Sequence, residues 1–127
     1  MSQGVRRTIL VLLTAGVALA LHLTLGWAWS VLGAVLGGFA MGRGGSVVGA
    51  LGLVLPWAGL VLWNLAFYGP PMARMTEAVG GIIGGLPGFA VPLLTLAIAL
   101  VLGTLGGATG ASLRKQLVPE KAPQPAS

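Results

Sequence analysis

Apolar residues run without a formal charge over 8–25, and three more such runs follow over 27–42, 46–68 and 91–113, with the polar positions gathered between them. Helix rises about 1.5 Å per residue, so the eighteen residues of the first run reach ~27 Å, close to the hydrocarbon thickness of a bilayer. The third and fourth runs are long enough to cross with some tilt. The second reaches only ~24 Å and fits a span with little tilt or a thinned stretch of bilayer. Four helices therefore suggest themselves, in an all-α membrane bundle.

Within these runs the small residues are periodic. Gly38, Gly42, Gly45, Gly49, Gly52, Pro56 and Gly59 recur at steps of four and three, and Ala99, Gly103, Gly106 and Gly110 repeat that spacing in the last run. In water each glycine inside a helix weakens it by ~1 kcal/mol relative to alanine. A bilayer enforces helix and makes close backbone approach useful, so the pattern reads as packing faces of transmembrane helices. Pro56 lacks the N–H that would bond the Gly52 carbonyl, which predicts a bend in the middle of the third helix.

The breaks between the runs fit this frame. Trp27 and Trp29 mark one turn, Arg43 between Gly42 and Gly44 marks the next, and Trp63, Phe67 and Tyr68 end the third helix before Gly69-Pro70-Pro71. Indoles favour the membrane interface. The segment 69–90 reads as an outer loop, or as a short interfacial helix that places Arg74 and Glu77 together and turns Met72, Met75 and Val79 toward lipid. The single membrane domain covers 1–118, and the proline-rich polar tail over 119–127 reads as disordered and cytoplasmic. The first run also fits a secretory signal peptide, with Ala18-Leu19-Ala20 as the cleavage site, but the apolar stretch continues past it through Leu21, Leu23 and Leu25.

Composition narrows the function. The chain is 56% hydrophobic and 7% charged, far from the roughly 25% charged residues of soluble domains. Its net charge of +5 comes from residues at the ends of apolar runs, which argues against nucleic acid as a partner and for anchoring at lipid headgroups. Arg6, Arg7, Arg43, Arg114, Lys115 and Lys121 fall on one side of a four-span arrangement and Arg74 on the other. The positive-inside rule then predicts both termini in the cytoplasm of a multi-pass protein of the cell membrane.

The chain has no cysteine, one histidine and two acids, so thiolate chemistry, paired carboxylates and metal clusters lack their parts. Gly42-Arg43-Gly44-Gly45 and the glycines from Gly80 to Gly85 have no preceding strand and no GK[ST] sequel, which separates them from phosphate-binding loops. No cofactor and no enzymatic activity are expected. The candidate polar site is His22, Asn64 and Thr95, which helical geometry puts at a similar depth in the outer half of the bilayer, where such side chains form interhelical hydrogen bonds or line a solute path. The reading is a non-enzymatic membrane subunit that packs with itself or a larger membrane complex, its alternative a transport component for a small solute or ion.

Overall fold

The computed structural model describes residues 1–119; apart from Pro119, the segment read as a disordered tail lies outside them. Among the described residues there are helices and no strand. The first, α1 (Gln3–Leu25), starts at Ser2, whose hydroxyl accepts the Val5 N–H at 3.3 Å. Such a serine satisfies one of the donors that a helix start leaves unpaired. A 3-10 turn over Trp27–Trp29 then reverses the chain, and the buried Ser30 donates its hydroxyl to the Trp27 carbonyl.

The chain goes on through α2 (Ser30–Met41) and α3 (Gly45–Phe67), which are joined by a turn with Gly42 at φ 70° and Gly44 at φ 86°. Only glycine takes up that left-handed region without a steric cost, which is why Arg43 is flanked by glycines there. The remaining helices are α4 (Gly69–Gly84) and α5 (Ala90–Leu117). Helix α1 begins five residues before the apolar run and α5 extends four residues beyond its own, carrying Arg114 and Lys115 on the last turn. The segment 69–90 is mostly helix, not open loop: Pro70 and Pro71 sit in the first turn of α4, where their missing N–H groups have no helical partner to lose. On α4, Met75 is exposed and Met72 and Val79 half-buried, while Arg74 and Glu77 are both exposed.

Three helices, α1, α3 and α5, are long and apolar enough to cross a membrane. The 12 residues of α2 rise only ~18 Å. Helices α2 and α3 pack on each other and both pack on α1 and on α5, while α1 and α5 do not meet among the described residues. In section the bundle is a rhombus, with α2 and α3 across its short diagonal.

The interior is rich in small groups, with Leu53 and Trp57 among its larger members. Ala18, Ala34, Val48, Leu53 and Ala99 are fully buried, whereas Leu12, Leu62, Val101 and Leu105 stand more than half exposed. Bulk outside and smallness inside reverses the arrangement that water selects and suits lipid, which solvates large side chains while close-packed backbones hold the helices together. Pro56 is buried within α3, and the helix continues through it to Phe67.

Candidate functional site

Several of the approaches between α5 and its neighbours are made at glycines. A Cβ built on Gly49 would lie 2.3 Å from the Gly103 carbonyl oxygen, and one on Gly103 would lie 2.5 Å from that of Gly49. On the same face of α5, a Cβ on Gly107 would come within 2.2 Å of the Gly45 oxygen and one on Gly110 within 2.0 Å of the Val35 oxygen. Gly38 faces Gly107 across the α2–α5 contact, and Gly106 faces Ala34 and Val31. Helix α3 turns its other side to α1, where Gly52 takes the buried Thr14, which also fills the notch at Gly37.

The stripe is thus divided between two partners. Gly42 lies against the Arg114 side chain in the turn, and Gly59 faces open space, so Gly59 takes no part in these approaches. Its seven-residue step from Gly52 put it on the stripe. The neighbouring Trp57 instead occupies that level of α3.

The three residues of the candidate polar site are distributed differently from the sequence expectation. Asn64 donates through Nδ2 to the Leu60 carbonyl at 2.8 Å, and Thr95 donates through Oγ1 to the Val91 carbonyl at 3.0 Å. Each satisfies itself on its own helix, four residues back, and neither bonds to His22. The histidine ring instead meets Trp57 edge-on, with ring centroids 5.8 Å apart and planes inclined by 65°. His22 Nδ1 and Trp57 Nε1 are both buried without a hydrogen-bond partner.

Sequence reasoning missed Trp57. The available signal was position: Trp27, Trp29 and Trp63 stand near the ends of their runs, whereas Trp57 stands in mid-run beside Pro56. An indole can only donate, while imidazole presents one donor and one acceptor when neutral. This pair can hold a polar atom in an apolar wall. It offers no second titratable group for passing a proton onward, since Glu77 on α4 is the only acid among the described residues. No group of three or more metal-ligating side chains comes together among them either.

Because an unpaired buried polar atom costs about 1–3 kcal/mol, His22→Phe, which keeps an edge on Trp57 and removes Nδ1, is expected to leave thermal stability unchanged or higher. A clear loss on melting in detergent would mean that Nδ1 has a partner in the membrane.

The opposite end of the bundle is basic. The last carbonyls of α2 have no helical N–H to accept from, and they form the negative end of its dipole. Arg114 Nη1 donates to Phe39 O at 3.0 Å and to Ala40 O at 2.6 Å, and Arg6 Nη2 donates to the same Ala40 oxygen at 3.1 Å. The first helix, the last helix and the C-terminal end of α2 are tied together by these bonds. Gly42, Arg43, Arg114, Lys115 and Val118 line a cavity of about 420 Å³ there. Arg7 reaches the same turn, with Nη2 3.5 Å from where a Gly44 Cβ would stand. The five residues read as topology anchors, Arg6, Arg7, Arg43, Arg114 and Lys115, therefore share one end of the molecule. No family model, curated protein or solved structure matches the chain.

Proposed function

We propose that the chain is a non-enzymatic integral membrane protein, a four-span structural or accessory subunit with both termini cytoplasmic that assembles with itself or with a larger membrane complex. One observation carries this reading: α5 approaches α2 and α3 at glycines, while the part-buried Asn64 and Thr95 spend their hydrogen bonds on their own helices. Such an interior supplies rigidity and no reactive group. The collection of basic residues at one end supports the orientation, through the positive-inside rule.

Since Gly38, Gly45, Gly49, Gly103, Gly107 and Gly110 meet partners within the chain, their faces are not free for another subunit. Assembly must use the outer surface, where α1 keeps Gly16 and Ala20 exposed on one side, four residues apart. Gly16→Leu is therefore expected to leave the monomer folded but to change the species recovered in mild detergent, read by light scattering coupled to gel filtration. An unchanged oligomeric state for this variant, with the wild type monomeric and free of co-purifying proteins, rules out the subunit reading.

The orphaned His22 and Trp57 nitrogens favour a second reading, a transport component for a small solute or ion. Flux in liposomes that is absent in the wild type, or equal in wild type and His22→Ala, excludes it.

A further inference from the structure

The basic end does more than cap a helix. All the Arg114 bonds to α2 fall on Nη1, so the Nε and Nη2 edge of the same guanidinium is not engaged with that helix. The planar group is held from behind by two carbonyls, and Gly42, with no Cβ, lets its stem pass: Arg114 Cδ lies 3.0 Å from where that Cβ would be. A guanidinium fixed in this way has paid its ordering entropy before any ligand arrives. Arg43, exposed on its glycine-flanked turn, and Lys115, exposed on the last turn of α5, complete the walls of the cavity. Three cations thus line a space of about 420 Å³, large enough for a phosphate group with its attached glycerol.

We propose that this cavity binds a phosphate group, and that the phosphate is the diester of an anionic phospholipid in the surrounding leaflet. Arg114 supplies the paired donors that match two phosphate oxygens, and Arg43 and Lys115 supply charge. Two features select a lipid over a free anion. The cavity lies at the ends of apolar helices, where headgroups sit if α3 and α5 cross the bilayer, so the proposal rests on the membrane reading. An apolar groove lined by Leu10, Leu13, Val17, Gly33, Leu36 and Ala40 also runs between α1 and α2 and reaches Ala40, the residue whose carbonyl Arg6 and Arg114 share. A groove of that composition suits an acyl chain. Basic pockets at the cytoplasmic ends of membrane helices recognise anionic headgroups on the same physical grounds.

Purified protein in a mild, uncharged detergent tests the idea by thermal melting and native mass spectrometry, with added phosphatidylglycerol, phosphatidylcholine or inorganic phosphate. Phosphatidylglycerol is expected to raise the melting temperature and to stay bound as a discrete adduct, while phosphatidylcholine does neither. Arg43→Gln and Lys115→Gln leave the bonds to α2 intact and are expected to weaken binding roughly five-fold each, without lowering the melting temperature of the lipid-free protein. Equal effects of the two lipids, or undiminished binding by the Arg43→Gln/Lys115→Gln double variant, overturn the proposal. The same shift with inorganic phosphate alone overturns its lipid part. A chain that stays folded and monodisperse without detergent defeats the membrane reading separately, and the inorganic phosphate arm still reports on the cavity.

Discussion

Gly107→Ala is expected to leave little folded protein. The added methyl would stand 2.2 Å from the Gly45 carbonyl oxygen, and Gly107 is also the group that Gly38 and Gly49 approach from α2 and α3. None of these neighbours is the end of a flexible side chain. The helices themselves must move apart, and because α5 touches α2 and α3 along the same face, separation at this level also loosens the contacts at Gly103 and Gly110. Overpacking of a close-packed core costs about 1–3 kcal/mol, and a clash with the α3 backbone at both Gly45 and Gly49 belongs at or above the top of that range.

The controls are built into the same sequence. Gly16 and Gly59 are helical, and a methyl added at either would meet nothing within 4 Å, so alanine there is expected to be neutral or to stabilise by up to about 1 kcal/mol. Melting temperatures and the yield of monodisperse protein in mild detergent check the contrast. If Gly107→Ala melts with Gly59→Ala and the wild type, the close approach of α5 to its neighbours is wrong.

The second large effect belongs to Arg114. Removal of its side chain leaves the carbonyls of Phe39 and Ala40 without the Nη1 donor at the end of α2, where no further helical N–H is available to them. Hydrogen bonds from charged donors contribute about 1.5–3 kcal/mol. Arg114→Ala is therefore expected to cost about 3 kcal/mol and to speed amide exchange at the end of α2. Arg114→Lys keeps the charge near the negative pole of the helix but carries its donors on a shorter, more flexible stem, so it should recover part of the loss. Arg6→Ala should cost less, since its bond to Ala40 is exposed and the carbonyl keeps Arg114. Equal exchange in wild type and Arg114→Ala would show that the guanidinium does not hold these carbonyls.

The long helices were legible because a charge-free run of eighteen or more residues admits few alternatives, and because Gly42 and the pair Pro70-Pro71 punctuate the chain with definite backbone requirements, whereas the start at Ser2, ahead of the apolar run, was not read. The helical nature of 69–84 was only one of two open readings, since its glycines and prolines speak against helix and its burial is confined to Thr76 and Gly80. Spacing placed Gly49 and Gly103 on faces of their own helices. It could not say that Gly49 meets α5 while Gly52 meets α1, because the rotation of one helix against two partners is set by packing and leaves no mark in a single strand of sequence. The same holds for the polar level. Depth along a helix put His22, Asn64 and Thr95 at one height, whereas azimuth decides contact, and azimuth turned Asn64 and Thr95 back on their own turns and His22 toward Trp57.

The bond from Arg114 to the Ala40 carbonyl joins residues 74 apart in the chain, and this bears on how the molecule is made. As the chain leaves the ribosome, α2 emerges long before the helix that finishes it, so during synthesis its end has Arg6 alone to hold it. That end gains its Arg114 donor only once α5 has been made. A product that terminates ahead of α5 would carry an unfinished short helix and leave bare the two faces of α2 and α3 that hold Gly38, Gly45 and Gly49.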